Sequence, residues 1–566
     1  MSKIKFCALG GLGENGKNLY VVTVDDKIFI LDAGIKYPSV ELYGIDAVMP
    51  DFEYLVENKD KIIGIFLSHG HEENCGAIVE LISQLHVPVF SSHFTISIVE
   101  QMLQDQGINK GNYKLYRIND NKKLQFDDVS VSFFYTTHSV PESMGISINT
   151  CDGSIVYASD FSFSFTKDYN YQTSFNKISE ISKNNVLLLC AESLGVNNIS
   201  RNKNDYTFNH LVKEALQINK RIIFAMYSSD LNRIQKVVDM CVKGGRRIAI
   251  IGRKVQRIIN VAMSTGYLKI PQENLVNLKF LDENNLNNDD DLAIIITGIR
   301  HEPYFMLQRM MTNQDKLIKL VEGDTVVTIC PPVIGTEKIA TRAIDQLSKT
   351  GCKVINVSRS ILKSSHADSE DLKMLYQILN PLYICPVMGE YRHQYVHKNI
   401  AVDAGFSEEN VLVLDNGTEI IFEDGLLTNE TNKLPVSDVL VDGSIVGDIN
   451  EIVLKDREQL SQEGAMFIVT NIDTKNREII SGPSVYTKGF ISLYDQDTLF
   501  EKVENNIEKT IRKMLSDKNN DKDLDWNDLK TLIKDNSNRV VRSLTKKSPI
   551  IIPVIIDING EDIWNI

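Results

Sequence analysis

The sequence lacks the cysteine spacing of a zinc finger or of a small disulfide-stapled domain. Its eight cysteines are scattered over 566 residues, and no two of them lie within three positions of each other. They occur in apolar runs, which is typical of buried thiols in a reducing compartment. We therefore expect reduced cysteines, a cytoplasmic protein, and a core large enough to need no covalent staples.

Long apolar runs are also missing. No run reaches the about 18 residues that a membrane-spanning helix needs. The first residues, MSKIKFCALGG, contain no apolar segment typical of a signal peptide. We therefore expect a protein that does not bind membranes.

Basic residues are in the minority, with 61 Lys and Arg against 75 Asp and Glu and a formal net charge of −14. This balance argues against non-specific binding of nucleic acid over the whole surface, although it allows a local basic groove. Hydrophobic residues make up 43% of the chain, which is ordinary for a globular protein.

The predicted strands and helices divide the chain into regions. Residues 1–190 contain many short strands, and several of these strands end on a polar residue whose side chain can converge on one site. These residues are Asp32, His69, His138 and Asp160. From 205 to 420 strands alternate with helices, which indicates a doubly wound α/β domain. The polar segment FEDGLLTNETNKLPVSD is typical of a linker, and a small domain follows it.

The stretch FLSHGHEENCGA indicates a metal site. His69 and His71 can bind one cation from the same side, and with His138 and Asp160 they would satisfy one Zn²⁺ or Mn²⁺. A second ion, about 3.5–4 Å away, would need ligands from the next turn. There, Glu73 is one methylene longer than aspartate, and Asn74 offers only a neutral amide.

The segment GGLGENGKN contains a literal GxGxxG and also approximates a nucleotide-binding phosphate loop. Both motifs require a helix to begin at the last glycine. The residues that follow, NLYVVTVDDKIFILDAG, have the pattern of two strands instead. We predict a tight glycine turn between strands, and no nucleotide site.

Several motifs together resemble the ribonuclease J family. The metallo-β-lactamase domain of that family is similar to ALGGLGENGKNLYVV, ILDAG, LSHGHEENCGA, TTHSVPESMGISI and IVYASDFSF. Its β-CASP insertion and the return into the first domain are similar to LLLCAES, SSDLNRIQKV, TGIRHEP, SSHADSEDLKML and CPVMGEYRH. Its linker and C-terminal domain are similar to VDGSIVGDINEIVLKDREQLSQEGAMFIV and IIPVI, so the resemblance covers the whole chain.

The resemblance implies an α/β fold: a metallo-β-lactamase αββα sandwich with an inserted doubly wound α/β β-CASP domain and a small α+β C-terminal domain. The implied divisions are 1–198 for the first part of the metallo-β-lactamase domain, 199–355 for the β-CASP domain, 356–425 for the return segment, 426–450 for the linker and 451–566 for the C-terminal domain.

The family implies a metal-dependent ribonuclease with 5′-to-3′ exonuclease and endonuclease activity in RNA processing and decay, including rRNA processing and mRNA decay. It implies two metal ions, and RNA that threads between the two large domains with its 5′ phosphate held by β-CASP residues. It also implies a homodimer, or a hetero-oligomer with a catalytic paralogue, within an RNA-degradation complex.

The resemblance also assigns metal ligands. The first site falls on residues that all match the family: His69, His71, His138 and Asp160. The second falls on Asp160 again and on three residues that differ from it: Glu73, Asn74 and Met388. A thioether at 388 is a soft ligand that suits neither Zn²⁺ hydrolysis nor Mn²⁺. We expect one ion, Zn²⁺ or Mn²⁺, and an incomplete second site.

Further residues are carried over as catalytic, substrate-binding or structural. The candidate catalytic residues are Asp160, Glu73 and His366, of which His366 can steer a phosphate or protonate the leaving oxygen. The substrate loops fall on Ser228, Ser229, Asp230 and Arg233, and on Leu362, Lys363, Ser364, Ser365 and His366, where Leu362 replaces a family histidine. Asp32 and Glu192 fall beside the site as structural carboxylates.

This pattern of loss is similar to that of the second, type 2 bacterial paralogue within the family, and two hypotheses stay open. One is a ribonuclease with weak intrinsic activity, because the second metal site is degraded. The other is a non-catalytic RNA-binding subunit that stabilises or modulates an active ribonuclease J paralogue.

Overall fold

The computed structural model describes residues 2–38, 42–164, 168–198, 205–218, 220–252, 256–278, 290–333, 335–443, 445–447, 449–490, 496–516 and 526–558. Two compact units are distinguished: the first comprises Met1–Tyr37 and Ala47–Val439, and the second comprises Pro38–Asp46 and Leu440–Ile566. Within the described ranges, every helix is too short or too polar to cross a membrane.

The first part of the first unit alternates strands with short helices. The strands are β1 (Lys3–Gly10), β2 (Leu19–Val24), β3 (Lys27–Leu31), β4 (Ala47–Pro50), β5 (Ile62–Phe66), β6 (Val89–Ser91), β7 (Leu115–Arg117), β8 (Lys123–Phe126), β9 (Val129–Tyr135), β10 (Met144–Thr150), β11 (Gly153–Ala158) and β12 (Val186–Glu192). The helices are α1 (Glu53–Glu57), α2 (Glu72–Cys75), α3 (Ile78–Leu85), α4 (His93–Asp105) and α5 (Phe175–Ser182).

An inserted α/β segment follows. Its elements are α6 (Tyr206–Leu216), β13 (Ile222–Tyr227), α7 (Leu231–Lys243), β14 (Arg247–Ile251), α8 (Gln256–Ser264), β15 (Leu292–Gly298), α9 (Glu302–Met311), β16 (Thr325–Ile329), α10 (Glu337–Leu347) and β17 (Lys353–Asn356). The chain then returns through α11 (Ser369–Leu379), β18 (Tyr383–Val387), α12 (Tyr391–Asp403), β19 (Thr418–Glu423) and β20 (Leu426–Lys433).

Two sheets of the first unit pack face to face. An eight-stranded sheet has the order β20-β19-β1-β2-β3-β5-β6-β7, and a six-stranded sheet has the order β18-β12-β11-β10-β9-β8. The core between them contains Phe6, Phe29 and Phe66 from the first sheet, and Val131 and Ile146 from the second. Helices α5, α11 and α12 cover the other face of the six-stranded sheet, and α4 packs beside β6 and β7. The expected αββα sandwich is therefore confirmed.

The insertion forms a five-stranded sheet of order β14-β15-β13-β16-β17 in which every neighbouring pair is parallel. Strand β15, LAIIITG, is buried along its whole length, as expected for a parallel strand covered on both faces. The expected doubly wound insertion is thus confirmed. Its predicted start at residue 199 lies outside the described residues, which resume at 205.

The second unit contains a small α+β domain, as predicted. Strand β21 (Asp438–Asp442) leads into it, and its further elements are β22 (Ile445–Val446), α13 (Glu451–Glu463), β23 (Ala465–Asp473), β24 (Glu478–Lys488), α14 (Gln496–Ser516), α15 (Trp526–Thr545) and β25 (Ile550–Asp557). A sheet of order β24-β23-β25 packs one face against α14 and α15.

Two segments test the predictions made from composition. The glycine turn is confirmed: Gly11, Gly13 and Gly16 all have positive φ between β1 and β2, and no helix follows. The start of the predicted linker differs, because 426–433 form β20, which pairs with β19. Most side chains of this edge strand are exposed, so its composition resembles that of a loop.

Candidate metal centre

Four polar side chains meet beyond the ends of three strands. His69 and His71 follow β5, His138 follows β9, and Asp160 follows β11. The ring nitrogen His69 Nε2 lies 3.0 Å from His71 Nδ1, and His138 Nε2 lies 3.2 Å from the same His71 atom. The carboxylate oxygen Asp160 Oδ2 lies 3.2 Å from His69 Nε2. The structure thus brings together the four residues predicted for the first metal site.

The outer nitrogens of two rings face backbone carbonyls. His71 Nε2 lies 3.0 Å from the oxygen of Ser229, and His138 Nδ1 lies 2.8 Å from the oxygen of Ser365. A carbonyl only accepts hydrogen bonds, so each of these nitrogens carries the proton of its ring. The inner nitrogens of His71 and His138 are therefore unprotonated in the neutral rings and point lone pairs at each other.

The same reasoning applies to His69. The Ser68 hydroxyl donates to Asp32 Oδ2 at 2.8 Å, so its oxygen is free to accept from His69 Nδ1 at 3.0 Å. His69 Nε2 then also presents a lone pair. Three separations among these four atoms are 3.0–3.2 Å, and all four lie within 4.8 Å of one another. This spacing suits a tetrahedral ion, whose ligand atoms lie about 3.3 Å apart at bond lengths of about 2.0–2.1 Å. The residues present fit a metal ion.

The protonation states favour the same conclusion. Burial lowers the pKa of His69 to about 4 and holds the pKa of His138 well below its ordinary value. Burial opposes the ionisation of Asp160, but the contact with His366 outweighs it and holds the pKa of that carboxyl well below its usual range. Neutral imidazoles and an ionised carboxylate are the forms that bind metal.

Asp32 is the centre of a buried hydrogen-bond network behind His69. Its carboxylate accepts from the Ser68 backbone amide at 2.7 Å, from the Asn74 side-chain amide at 2.7 Å and from the Tyr157 hydroxyl at 2.6 Å. Burial raises the pKa of Asp32 to about 6, although these donors oppose the rise. Asp32 is therefore a structural residue that orients Ser68, and Ser68 in turn contacts the His69 ring.

Backbone contacts hold the segment 69–74 against the residues after β3. Ala33 N donates to Asn74 O at 2.7 Å, and Asn18 N donates to Glu73 O at 3.1 Å. A Cβ atom at Gly34 would lie 1.6 Å from Glu73 O, so only glycine permits this approach. The glycine of the LDAG motif therefore serves the position of the loop.

The positions assigned to a second ion do not form a set of ligands. Asn74 is fully buried and its amide nitrogen donates to Asp32. Met388 is 1% exposed and lies in the apolar core with Leu12 and Tyr20. Among the described residues, the Glu73 carboxylate belongs to no cluster of possible ligands.

A second group joins Asp160 to two residues of the predicted catalytic surface. His366 Nδ1 lies 2.8 Å from Glu192 Oε2 and 3.1 Å from Asp160 Oδ1. Burial opposes charge on the ring, but the two carboxylates outweigh it and raise the pKa of His366 well above its ordinary value. Glu192 also accepts from the backbone amides of Phe161 at 2.8 Å and Ala367 at 3.0 Å, so it anchors the loop that carries His366.

The predicted substrate loops adjoin the histidines mainly through their backbones. Ser229 and Ser365 contribute carbonyl oxygens, and Ser228 is buried at the end of β13. The remaining residues hold the loops: Asp230 caps α7, Arg233 donates to Lys363 O, Lys363 donates to Ser164, and Ser364 accepts from Asn198. Leu362 is half-buried between β17 and α11.

Sequence reasoning missed the polar residues behind the metal ligands. Ser68 and Ser159 directly precede His69 and Asp160, and Tyr157 is buried on β11 with its hydroxyl on Asp32. Their positions, directly before a strand-end ligand or three residues before one, were the available signal.

Family models match three parts of the chain. Residues 219–347 match the Ribonuclease J, beta-CASP domain, and residues 452–558 match the Ribonuclease J C-terminal domain. Residues 357–413 match the Zn-dependent metallo-hydrolase RNA specificity domain.

Whole-chain relatives include Ribonuclease J2 of Bacillus subtilis (strain 168), which is 34% identical over 556 residues. The aligned region covers 98% of this chain and 99% of the relative. Ribonuclease J 2 of Staphylococcus aureus (strain NCTC 8325 / PS 47) is 33% identical over 558 residues, with 98% of each chain covered. Among solved structures, a protein of unknown function from Enterococcus faecalis V583 has a TM-score of 0.51 and 15% identity, and it covers 74% of this chain and 100% of its own. That last likeness concerns the fold alone.

Proposed function

This chain belongs to the ribonuclease J family, and from that premise we propose that it hydrolyses phosphodiester bonds in RNA with one bound metal ion and low intrinsic turnover. The proposed ligands are His69, His71, His138 and Asp160. The observation that carries the proposal is the convergence of three ring lone pairs and one carboxylate oxygen on a common point, with a hydrogen-bond acceptor behind each ring.

When bound, Zn²⁺ or Mn²⁺ would supply positive charge and Lewis acidity against the phosphoryl group. His366 is the proposed proton donor to the leaving oxygen. Both carboxylates contact its Nδ1, which leaves Nε2 as the nitrogen that can face a substrate. Glu73, two residues after His71, is the proposed proton acceptor.

We propose that RNA enters between the metallo-β-lactamase domain and the insertion, divided as the resemblance implies. The loop from Ser228 to Asp230 and the loop from Leu362 to His366 would hold the phosphates, as the 3.0 Å contact between Ser229 O and His71 supports. All eight cysteines are free thiols, which fits a reducing compartment such as the cytoplasm.

Low turnover would follow from the state of the second site. Asn74 offers only a neutral amide, whose nitrogen donates to Asp32, and Met388 lies in the apolar core, so the charge that a second ion contributes in related sites would be missing. Transition-state charge of this kind is worth several kcal/mol in hydrolytic sites.

The activity is tested by turnover of a 5′-monophosphorylated RNA, with wild type and Asp160→Ala purified in parallel. We expect slow, metal-dependent cleavage by the wild type and none by the variant. Equal rates for the two proteins would overturn the proposal, because the cleavage would then come from a contaminant.

A non-catalytic role as a subunit is the second candidate function. It is favoured by the neutral amide of Asn74 and the core position of Met388, and by an apolar face on the sheet of the second unit. On that face Tyr486, Phe467 and Ile552 lie side by side on β24, β23 and β25, and each is at least 37% exposed. We propose that another ribonuclease J chain covers this face, either a second copy or a catalytic paralogue.

Sedimentation of the purified chain, alone and mixed with a purified catalytic paralogue, tests this role. A mixed complex that cleaves RNA faster than the paralogue alone would support the subunit role. A chain that stays monomeric alone and in the mixture would overturn it.

A further inference from the structure

Two of the three proposed histidine ligands depend on carbonyls that lie beyond the core of the first sandwich. His71 donates to Ser229 O in the turn between β13 and α7 of the insertion, and His138 donates to Ser365 O in the returning segment. Partners of this kind fix the tautomer and the ring plane of a metal-binding histidine. Whatever holds these two carbonyls in place therefore also controls the geometry of the metal ligands.

The first carbonyl is held by the start of α7. The Asp230 carboxylate accepts from Arg233 N at 3.0 Å and so caps the helix. The next residue but one, Asn232, donates its backbone amide to Ser139 O at 3.1 Å, directly beside His138. Ser229 therefore lies between the capped start of α7 and His71, which donates to its carbonyl oxygen.

The segment that carries the second carbonyl is held by Arg233 and its ion-pair partner Asp230. The Arg233 guanidinium forms an ion pair with Asp230, and it donates from Nη2 to Lys363 O at 3.0 Å, two residues before Ser365. Both partners of the ion pair are only 17% exposed, so solvent screens the contact weakly. One ion pair thus links the two loops whose carbonyls orient His71 and His138.

We propose that Asp230 and Arg233 are positioning residues for the metal ligands. Metal retention therefore depends on the position of the insertion against the loops that carry His71 and His138. This role rests on the proposed metal site but goes beyond it, since the resemblance assigns both residues to substrate binding. Arg233 contacts Asp230 through Nη1 and donates to Lys363 O from Nη2, so its guanidinium connects the two loops.

The test is a titration of the metal-free full-length chain with Co²⁺, followed by the visible absorption of the bound ion. Arg233→Gln should weaken Co²⁺ binding about tenfold or more, in the range known for outer-shell partners, and should change the shape of the absorption band. Asp230→Asn keeps a capping oxygen but loses the ion pair, so it should show a smaller loss. Arg233→Lys should recover only part of the affinity, because an ammonium cannot replace both guanidinium contacts.

Arg309→Gln is the matched control. Arg309 also lies in the insertion, contacts Asp315 and donates to a backbone carbonyl, that of Gln314 at 3.1 Å, but it touches neither loop. Its Co²⁺ affinity and spectrum should equal those of the wild type, while the thermal stability of the metal-free Arg309→Gln and Arg233→Gln variants should be similar.

Failure of the positioning role and failure of the metal site would give different results. Co²⁺ affinity and spectrum unchanged in both Arg233→Gln and Asp230→Asn would overturn the positioning role and leave the metal site standing. A wild-type chain that binds Co²⁺ no better than His71→Ala would overturn the metal site, and the positioning role with it. If Arg233→Gln fails to fold, the result for Asp230→Asn decides.

Discussion

The side-chain amide of Asn74 donates a 2.7 Å hydrogen bond to the carboxylate of Asp32 inside the protein core. The ribonuclease J family has a histidine metal ligand at this position, according to the resemblance described above. Here the residue supports the network that orients Ser68 and, through it, His69. The residue at 74 therefore replaces a ligand that the resemblance implies for the second ion, and it supports a proposed ligand of the first.

Replacement of Asn74 should destabilise the fold. Asn74→Ala leaves Asp32 without one of its donors in a fully buried place, and loss of such a partner costs about 1–3 kcal/mol. The free energy of unfolding, measured in urea on the metal-free protein, should fall by that amount. Asn121→Ala, at an exposed position, should stay within about 0.5 kcal/mol of wild type. Equal stability of the two variants would show that the network contributes nothing.

Removal of the negative charge on Glu192 should slow catalysis. Glu192→Gln keeps the size of the side chain but loses one of the acceptor oxygens that hold His366 and the backbone of Ala367. We expect kcat for RNA cleavage to fall about tenfold or more, because a displaced proton donor loses much of its typical contribution, with KM little changed. Glu180→Gln, whose native side chain is 62% exposed, serves as the control. A kcat within twofold of wild type would argue against a role for His366.

The buried His397 should make stability depend on pH. Burial lowers the pKa of His397 to about 3 from an ordinary value of 6.5, although the Glu192 backbone opposes this. The folded chain therefore binds this proton less readily than the unfolded chain. The corresponding stability is fully present above pH 6.5 and is lost as the pH falls from there towards 3, at about 1.4 kcal/mol per pH unit.

Urea unfolding between about pH 4.5 and pH 6.5 measures this slope. His397→Gln should have a shallower slope than wild type by about 1.4 kcal/mol per pH unit. His210→Gln, at a side chain that is 58% exposed, should keep the slope of the wild type. Parallel curves for wild type and His397→Gln would contradict the shifted pKa.

The convergence of the proposed first-site ligands could be expected from sequence because each follows an apolar strand. Strand ends of neighbouring and facing sheets meet at one edge, so His69, His138 and Asp160 had to lie near each other. The alternation of strands and helices likewise predicted the parallel sheet of the insertion.

Other features depend on long-range geometry that no local pattern carries. The resemblance implies that Asp230 and Arg233 bind substrate, and no local pattern indicates that Arg233 also contacts Lys363 O, 130 residues away. The edge strand β20 was predicted as a linker because its side chains are mostly exposed. The position of Met388 in the apolar core follows from the packing of two sheets, which the sequence of one strand does not show.

The amount of metal bound per chain tests the central claim most directly. After saturation with Zn²⁺ or Mn²⁺ and removal of excess metal, elemental analysis should find one ion per wild-type chain and two per chain in the triple variant Glu73→Asp, Asn74→His, Met388→His. The account predicts that the wild-type ion is lost in His71→Ala. Two ions per wild-type chain, equal to the content of the triple variant, would contradict it.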